Sequence, residues 1–156
     1  MRYNEKPELV LFIEFLSKNR ISMKPCTPEQ LQQLMQMVGN LRLPSTYLQF
    51  MGYAGNGIRF FKGSSYTMRE IENIQTWAQE LLSEDESLEI LTSNDFVFFM
   101  HQGYQFYFFK LDEGDNPPIY YYEEGENHQK FIKKYDSFSE FVIAYYNDVE
   151  HLIKDN

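Results

Sequence analysis

Eleven aromatic side chains fall between residues 96 and 122: Phe96, Phe98, Phe99, Tyr104, Phe106, Tyr107, Phe108, Phe109, Tyr120, Tyr121 and Tyr122. Aromatic residues suit a pleated, half-buried surface. Turn residues interrupt the region at Ser93-Asn94-Asp95, Gly103 and Asp112-Glu113-Gly114-Asp115-Asn116, where they supply φ freedom or local side-chain capping. The pattern predicts an antiparallel meander with strands over 88–92, 96–101, 104–111 and 117–122. Eleven rings exceed one face of a sheet. Side chains alternate along a strand, so Tyr120 and Tyr122 share one side and Tyr121 takes the other. At least one tyrosine set is therefore expected to meet solvent, a helix or a partner.

Helical signals surround this region. Leu9, Phe12, Ile13 and Leu16 recur at helical spacing after Pro7, a residue suited to a first turn. Thr27-Pro28-Glu29-Gln30 reads as a capping box ahead of Leu31, Leu34, Met35 and Val38, and Gly39-Asn40 ends that helix. A short helix from Pro44 carries Tyr47, Leu48 and Met51 up to the Gly52 to Gly57 loop, and a strand is expected over Ile58-Arg59-Phe60-Phe61. A second box, Thr67-Met68-Arg69-Glu70, opens a helix with Ile71, Ile74, Ala78 and Leu81 inward, ending near Glu84-Asp85-Glu86. A third, Ser137-Phe138-Ser139-Glu140, starts the last helix, whose inner face holds Phe138, Phe141, Val142, Tyr145, Val149 and Leu152. This order predicts an α+β fold, with an antiparallel meander of about five or six strands flanked by helices.

The 156 residues suit a single domain, which at this size buries roughly 70% of the surface its unfolded chain exposes. No internal repeat, low-complexity tract or long linker divides it. Cys26 is the only cysteine, so an internal disulfide is excluded, and a buried, inert thiol in a reducing compartment is expected. The apolar stretch Leu9 to Phe15 is too short to span a bilayer and contains Glu14. A cytoplasmic, unanchored protein is the expectation.

A net charge of −9 argues against a nucleic-acid partner, because neutralising phosphates takes Lys and Arg. The charge is unevenly distributed. Residues 1–78 carry 9 basic and 6 acidic side chains, or +3, whereas residues 79–156 carry 5 basic and 17 acidic, or −12. Such a field speeds encounter with a cationic partner, or keeps an aromatic-rich protein soluble; the charge count alone leaves both readings open.

The residues show no catalytic or metal-binding constellation. Gly52-Tyr53-Ala54-Gly55-Asn56-Gly57 is glycine-rich, yet a helix precedes it and a strand is expected after it, the reverse of a dinucleotide fingerprint. Lys62 precedes Gly63, so no phosphate-binding P-loop forms there either. Asp112-Glu113-Gly114-Asp115-Asn116 clusters oxygen ligands, but Pro117 and Pro118 occupy the middle of any calcium loop and a hairpin turn is expected. His101, His128 and His151 lie far apart, and Glu123 with Glu124 reads as a solvated strand end. No metal, no cofactor and no enzymatic activity are predicted.

Three segments in order resemble the SUKH superfamily, which takes in bacterial toxin-immunity proteins and the fungal Smi/Knr-type regulators of cell-wall synthesis. LPSTYLQFMGYAGNG is similar to its helix and Asn-Gly loop, through Leu43, Pro44, Tyr47, Phe50, Asn56 and Gly57. HQGYQFYFFKLDEGDNPPIYYYEEG resembles its glycine turn, aromatic strand, acidic turn and following strand, through Gly103, Tyr104, Phe106, Pro118, Ile119 and Tyr120. YDSFSEFV matches the opening of its last helix at Ser137, Phe138 and Phe141. The resemblance covers roughly residues 27–146 and is weak between 60 and 95, and residues 1–26 form an N-terminal helix and connection.

The resemblance implies a SUKH-like fold and a protein-binding role. Many bacterial members are antidotes that cap a cognate toxin, often a nuclease whose active site is basic, which suits the −12 half. The residues expected at such an interface are Asp112, Glu113, Asp115, Tyr121, Glu123, Glu124 and Glu126. The alternatives are an intracellular scaffold or regulatory adaptor, as the fungal members suggest, and a small-ligand-binding domain with a cleft near the Gly55 loop.

Overall fold

The computed structural model describes residues 7–125 and 130–154, with the side chains of 151–154 left aside. In chain order it contains α1 (Glu8–Lys18), β1 (Met23–Lys24), α2 (Pro28–Met37), α3 (Ser45–Ala54) and β2 (Gly57–Ile58). A 3-10 turn (Arg59–Phe61), β3 (Ser64–Ser65) and α4 (Ile71–Glu84) follow. Then come β4 (Asp95–His101), β5 (Gln105–Lys110), β6 (Ile119–Glu123), β7 (Ile132–Tyr135) and α5 (Phe138–Lys154). The fold is α+β. Strands β3 to β7 form one antiparallel meander in sequence order, while β1 and β2 pair separately.

Eleven aromatics fit because both faces of the sheet are covered. On one face α3 and α5 bring Tyr47, Phe138 and Phe141 onto Phe96, Phe98, Phe99 and Phe109, with ring centroids 5.1–6.3 Å apart and mostly edge-to-face. On the other, α4 packs against β4, and Phe131 packs on Phe106, Phe108 and Tyr122. A one-residue bulge adapts β4 to this arrangement. Val97 opposes Phe108 and Phe99 opposes the next residue back, Tyr107, so Phe98 is extra. Phe98 and Phe99 consequently both reach Phe141.

β3 covers only Met100 and His101, which leaves the start of β4 without a neighbouring strand on that side. Gln75 of α4 fills the gap. Its amide nitrogen donates to the Val97 carbonyl (2.6 Å) and its oxygen accepts from the Val97 N–H (3.1 Å). An edge strand with paired backbone groups is closed to other chains.

Several local expectations change. Residues 58–61 form the end of β2 and a 3-10 turn, because Phe60 and Phe61 both point into the core, which strand alternation would forbid. Residues 88–92 form no strand; Leu88 and Ile90 are 96% and 74% exposed, so their β-type character has no sheet to join. β7, rich in lysine, and the two-residue strands β1 and β3 carry too little hydrophobic pattern to be read from sequence.

The capping boxes fare unequally. At α2 both reciprocal bonds of Thr27 and Gln30 form. At α5 Ser137 accepts from the Glu140 N–H, while Glu140 reaches the N–H of Asp136 in place of Ser137. The box at Thr67 fails: α4 starts later, and Glu70 accepts from the Ser65 hydroxyl (2.8 Å).

Candidate functional site

The Asp112 to Asn116 turn is built into the fold. The Asp115 carbonyl accepts from both the N–H (3.0 Å) and the hydroxyl (2.7 Å) of Thr46, and its carboxylate accepts from the Ser45 N–H (3.3 Å). It thus caps the first turn of α3, which has no capping side chain of its own. Glu113 accepts from the Tyr120 hydroxyl at 2.9 and 3.2 Å, and Asp112 accepts from the Asn94 amide at 2.8 Å.

Tyr121, expected at the interface, is buried at 8% exposure and offers a partner little surface. Its ring lies 5.1 Å from that of Tyr107, and Lys134 from the unanticipated strand β7 places its ammonium 4.3 Å from the ring centroid. Burial first, then the Glu123 carboxylate, pushes its hydroxyl up to about 12. Glu123 is half-buried opposite Gln105, and Glu124 is exposed with its N–H on the Tyr104 carbonyl (3.0 Å). Glu126 lies outside the described residues. The residues expected at one interface therefore separate into two groups, Asp112 with Glu113 and Asp115, and Glu123 with Glu124. Roughly 13 Å of β6 divides them.

A surface the sequence reading left without a role lies on α4. From Glu70 to Glu89 the chain carries Glu70, Glu72, Glu80, Glu84, Asp85, Glu86 and Glu89 and no Lys or Arg. Ile71, Ile74, Ala78 and Leu81 turn inward as expected, which leaves Trp77 at the edge of that stripe, 40% exposed. A groove of about 430 Å³ runs between α4 and the turn after β4, lined by Glu70, Trp77, Glu80 and Glu84 on one side and by Gln102 and Gly103 on the other. Glu80 and Glu84 stand one helical turn apart, an arrangement that costs a helix a few tenths of a kcal/mol. Asp85 accepts from the Tyr122 hydroxyl and the Gly125 N–H, which ties this end of α4 to the end of β6 that bears Glu123 and Glu124. The signal in the sequence was the sole tryptophan set in an acidic, amphipathic helix.

The other constellations are structural or incomplete. The glycine loop spends its amides internally: Gly55 N–H goes to Met51 O (2.8 Å) and Asn56 N–H to Lys24 O (2.9 Å). The Asn56 side chain ties the same loop to the Pro25 carbonyl and to Gln30 of the α2 cap. Ser64 Oγ lies 2.9 Å from His101 Nδ1 and 3.4 Å from the Tyr145 hydroxyl, with no carboxylate among the described residues in contact with the imidazole. Among the described residues no three His, Cys, Asp or Glu side chains come together so as to hold a metal ion, and no helix is long and apolar enough to cross a membrane.

An antiparallel meander between helical layers, entered through a helix and its Asn-Gly loop and closed by a Ser-Phe-capped helix, defines an α+β class of domain. The chain belongs to the SUKH superfamily: the family described as SMI1-KNR4 cell-wall (SUKH_6) matches residues 29–142, from the first turn of α2 into α5. No curated protein matches the chain.

Proposed function

We propose that this chain is a cytoplasmic immunity-type protein, binding rather than catalytic, that neutralises a cognate toxin by covering a basic surface on it. The observation that carries this reading is the exposed Trp77 set in a groove with Glu70, Glu80 and Glu84, on a stretch of chain without a single cation. Tryptophan is enriched among the residues that dominate protein interfaces. A field of one sign steers a partner of the other. Glu123 and Glu124 would extend the acidic surface, whereas Asp115 and Tyr121 serve the fold.

Trp77 is the only tryptophan, so its fluorescence reports the groove directly. Titration with a purified cognate toxin should shift that emission, Trp77→Ala should weaken binding roughly 30-fold, and Glu80→Lys with Glu84→Lys should abolish its salt dependence. Unchanged affinity in both variants across salt concentrations would sink the reading. The description of the matching family, which names the cell wall, favours a second reading as an intracellular adaptor. That reading requires a housekeeping protein, not a toxin, as the partner that affinity capture recovers.

A further inference from the structure

Leu88 and Ile90 are the two most exposed large apolar residues among those described, at 96% and 74%, values that leave backbone as well as side chain bare. After a bend at Leu88 the chain runs on through residues 89–92 with exposure alternating along it. Leu88, Ile90 and Thr92 face outward, and Glu89 and Leu91 face inward. The inward side fixes the segment: Leu91 packs against the core, and Glu89 accepts from the Phe131 N–H (2.8 Å). Asp95 holds its far end by accepting from the N–H (2.9 Å) and hydroxyl (3.1 Å) of Thr92. Its backbone is otherwise unengaged. Among the described residues nothing hydrogen-bonds to the N–H of Leu88, Ile90 or Leu91, or to the carbonyls of residues 88–91. A concavity of about 310 Å³ lies between this segment and α4, with Gln79, Leu82 and Ser83 on one side and Glu89, Ile90 and Leu91 on the other.

A fixed stretch of unpaired backbone with alternating apolar side chains is a template for one more strand. The bare half of β4 is plugged by Gln75, whereas no described side chain plugs residues 88–91. Charge selects the occupant. Glu84 and Glu86 are exposed just before the segment, Glu89 lies within it, and residues 70–109 contain no Lys or Arg. Lys24, Arg59 and Lys62 line a different pocket, with Ser64. Lys130, next to Phe131 in the chain, offsets only one of the three carboxylates. A second copy pairing through the same segment would set like charges together, which is destabilising. We infer that residues 88–91 bind an extended partner segment of alternating aliphatic and cationic side chains, its backbone pairing with Ile90 and Leu91, its aliphatic groups on Leu88 and Ile90 and its cations toward Glu86 and Glu89. The inference does not rest on toxin occlusion, since this site and the Trp77 groove share no lining residue.

The test is amide NMR of the full chain titrated with a capped hexapeptide alternating valine and lysine. A valine–glutamate counterpart and a valine–lysine peptide N-methylated at alternate residues serve as controls. The valine–lysine peptide should give saturable shifts confined to residues 79–83 and 86–92, and N-methylation, which blocks strand pairing, should weaken binding at least about tenfold. Leu88→Ser with Ile90→Ser, both exposed, should also weaken it at least about tenfold, while Trp77→Ala leaves it unchanged. Glu86→Lys should weaken it in the same direction even if the double variant folds poorly. Shifts that do not saturate, equal binding of either control peptide, or undiminished binding by both variants would each overturn the assignment. So would a dimer in ultracentrifugation of the chain alone that the Leu88 and Ile90 substitutions abolish, since the occupant would then be a second copy.

Discussion

Ser64 and Ser65 are consecutive residues of one edge strand, and their side chains lie in pockets of opposite charge. Strand alternation is the cause: Ser64 turns toward His101 and Tyr145, Ser65 toward Glu70. β3 therefore acts as a partition, and each pocket can be perturbed without touching the other.

Gly55 should tolerate no side chain, although its φ of −67° is open to any residue. A Cβ there would collide with Cys26 Sγ and stand 2.6 Å from the Met51 carbonyl oxygen. Gly55→Ala is expected to cost about 1–3 kcal/mol in urea unfolding. Adding Cys26→Ala should rescue it only in part, because the Met51 carbonyl is backbone; full rescue would refute the account.

Tyr47 sits fully buried among Phe96, Phe98, Phe109 and Phe138, and its hydroxyl has no hydrogen-bond partner among the described residues. An unpaired buried hydroxyl costs about 1–3 kcal/mol. Tyr47→Phe should thus leave the urea midpoint unchanged or raise it. A loss above about 1 kcal/mol would mean the hydroxyl does have a partner.

Asp115 and Arg42 lie 3.8 Å apart with both side chains exposed, so the ion pair itself should contribute almost nothing. The cap on Ser45 is a different matter. Asp115→Ala should cost about 1 kcal/mol, as lost helix caps do, while Arg42→Ala should be neutral. Equal effects of the two substitutions on the thermal midpoint would show that the cap contributes no stability.

Tyr120, Tyr121 and Tyr122 are each pushed up to about 12, by burial first and then by the carboxylates of Glu113, Glu123 and Asp85 respectively. Below the unfolded value near 10, both states keep these protons and the full stability is present. Between 10 and about 12 only the unfolded chain releases them, so stability falls as pH rises through that window. Tyrosinate absorbance of the folded protein should show these three still protonated near pH 11. Ionisation of all twelve tyrosines with a midpoint near 10, without unfolding, would contradict this.

The helices and the central hairpin could be read from sequence because their signals are local. The Thr27 box, the stripe of α4 and the aromatic strands each repeat within a few residues. What escaped depends on distant partners. Leu88 and Ile90 look like a strand until no sheet edge meets them, and Ile132 and Lys133 look like a loop until β6 pairs with them. The candidate surfaces escaped for the same reason. Trp77 and the carboxylates around it are spread over Glu70 to Glu84 as the helix winds, and Lys24 comes to line one pocket with Lys62 only through the Gly57 pairing. Asp115 misled in the other direction, since an acidic turn gives no local sign of a helix end 70 residues away.

The extra residue in β4 bears on how this chain can change its length. Were Phe98 deleted, Val97 would still face Phe108 and Phe99 would still face Tyr107, so every other side chain would keep its side of the sheet. Losing a codon outside the Phe98-Phe99 pair would turn neighbouring residues over or force the bulge to move. The Phe98-Phe99 pair is thus the place in β4 where the chain could shorten by one residue without rebuilding the layer beneath α5.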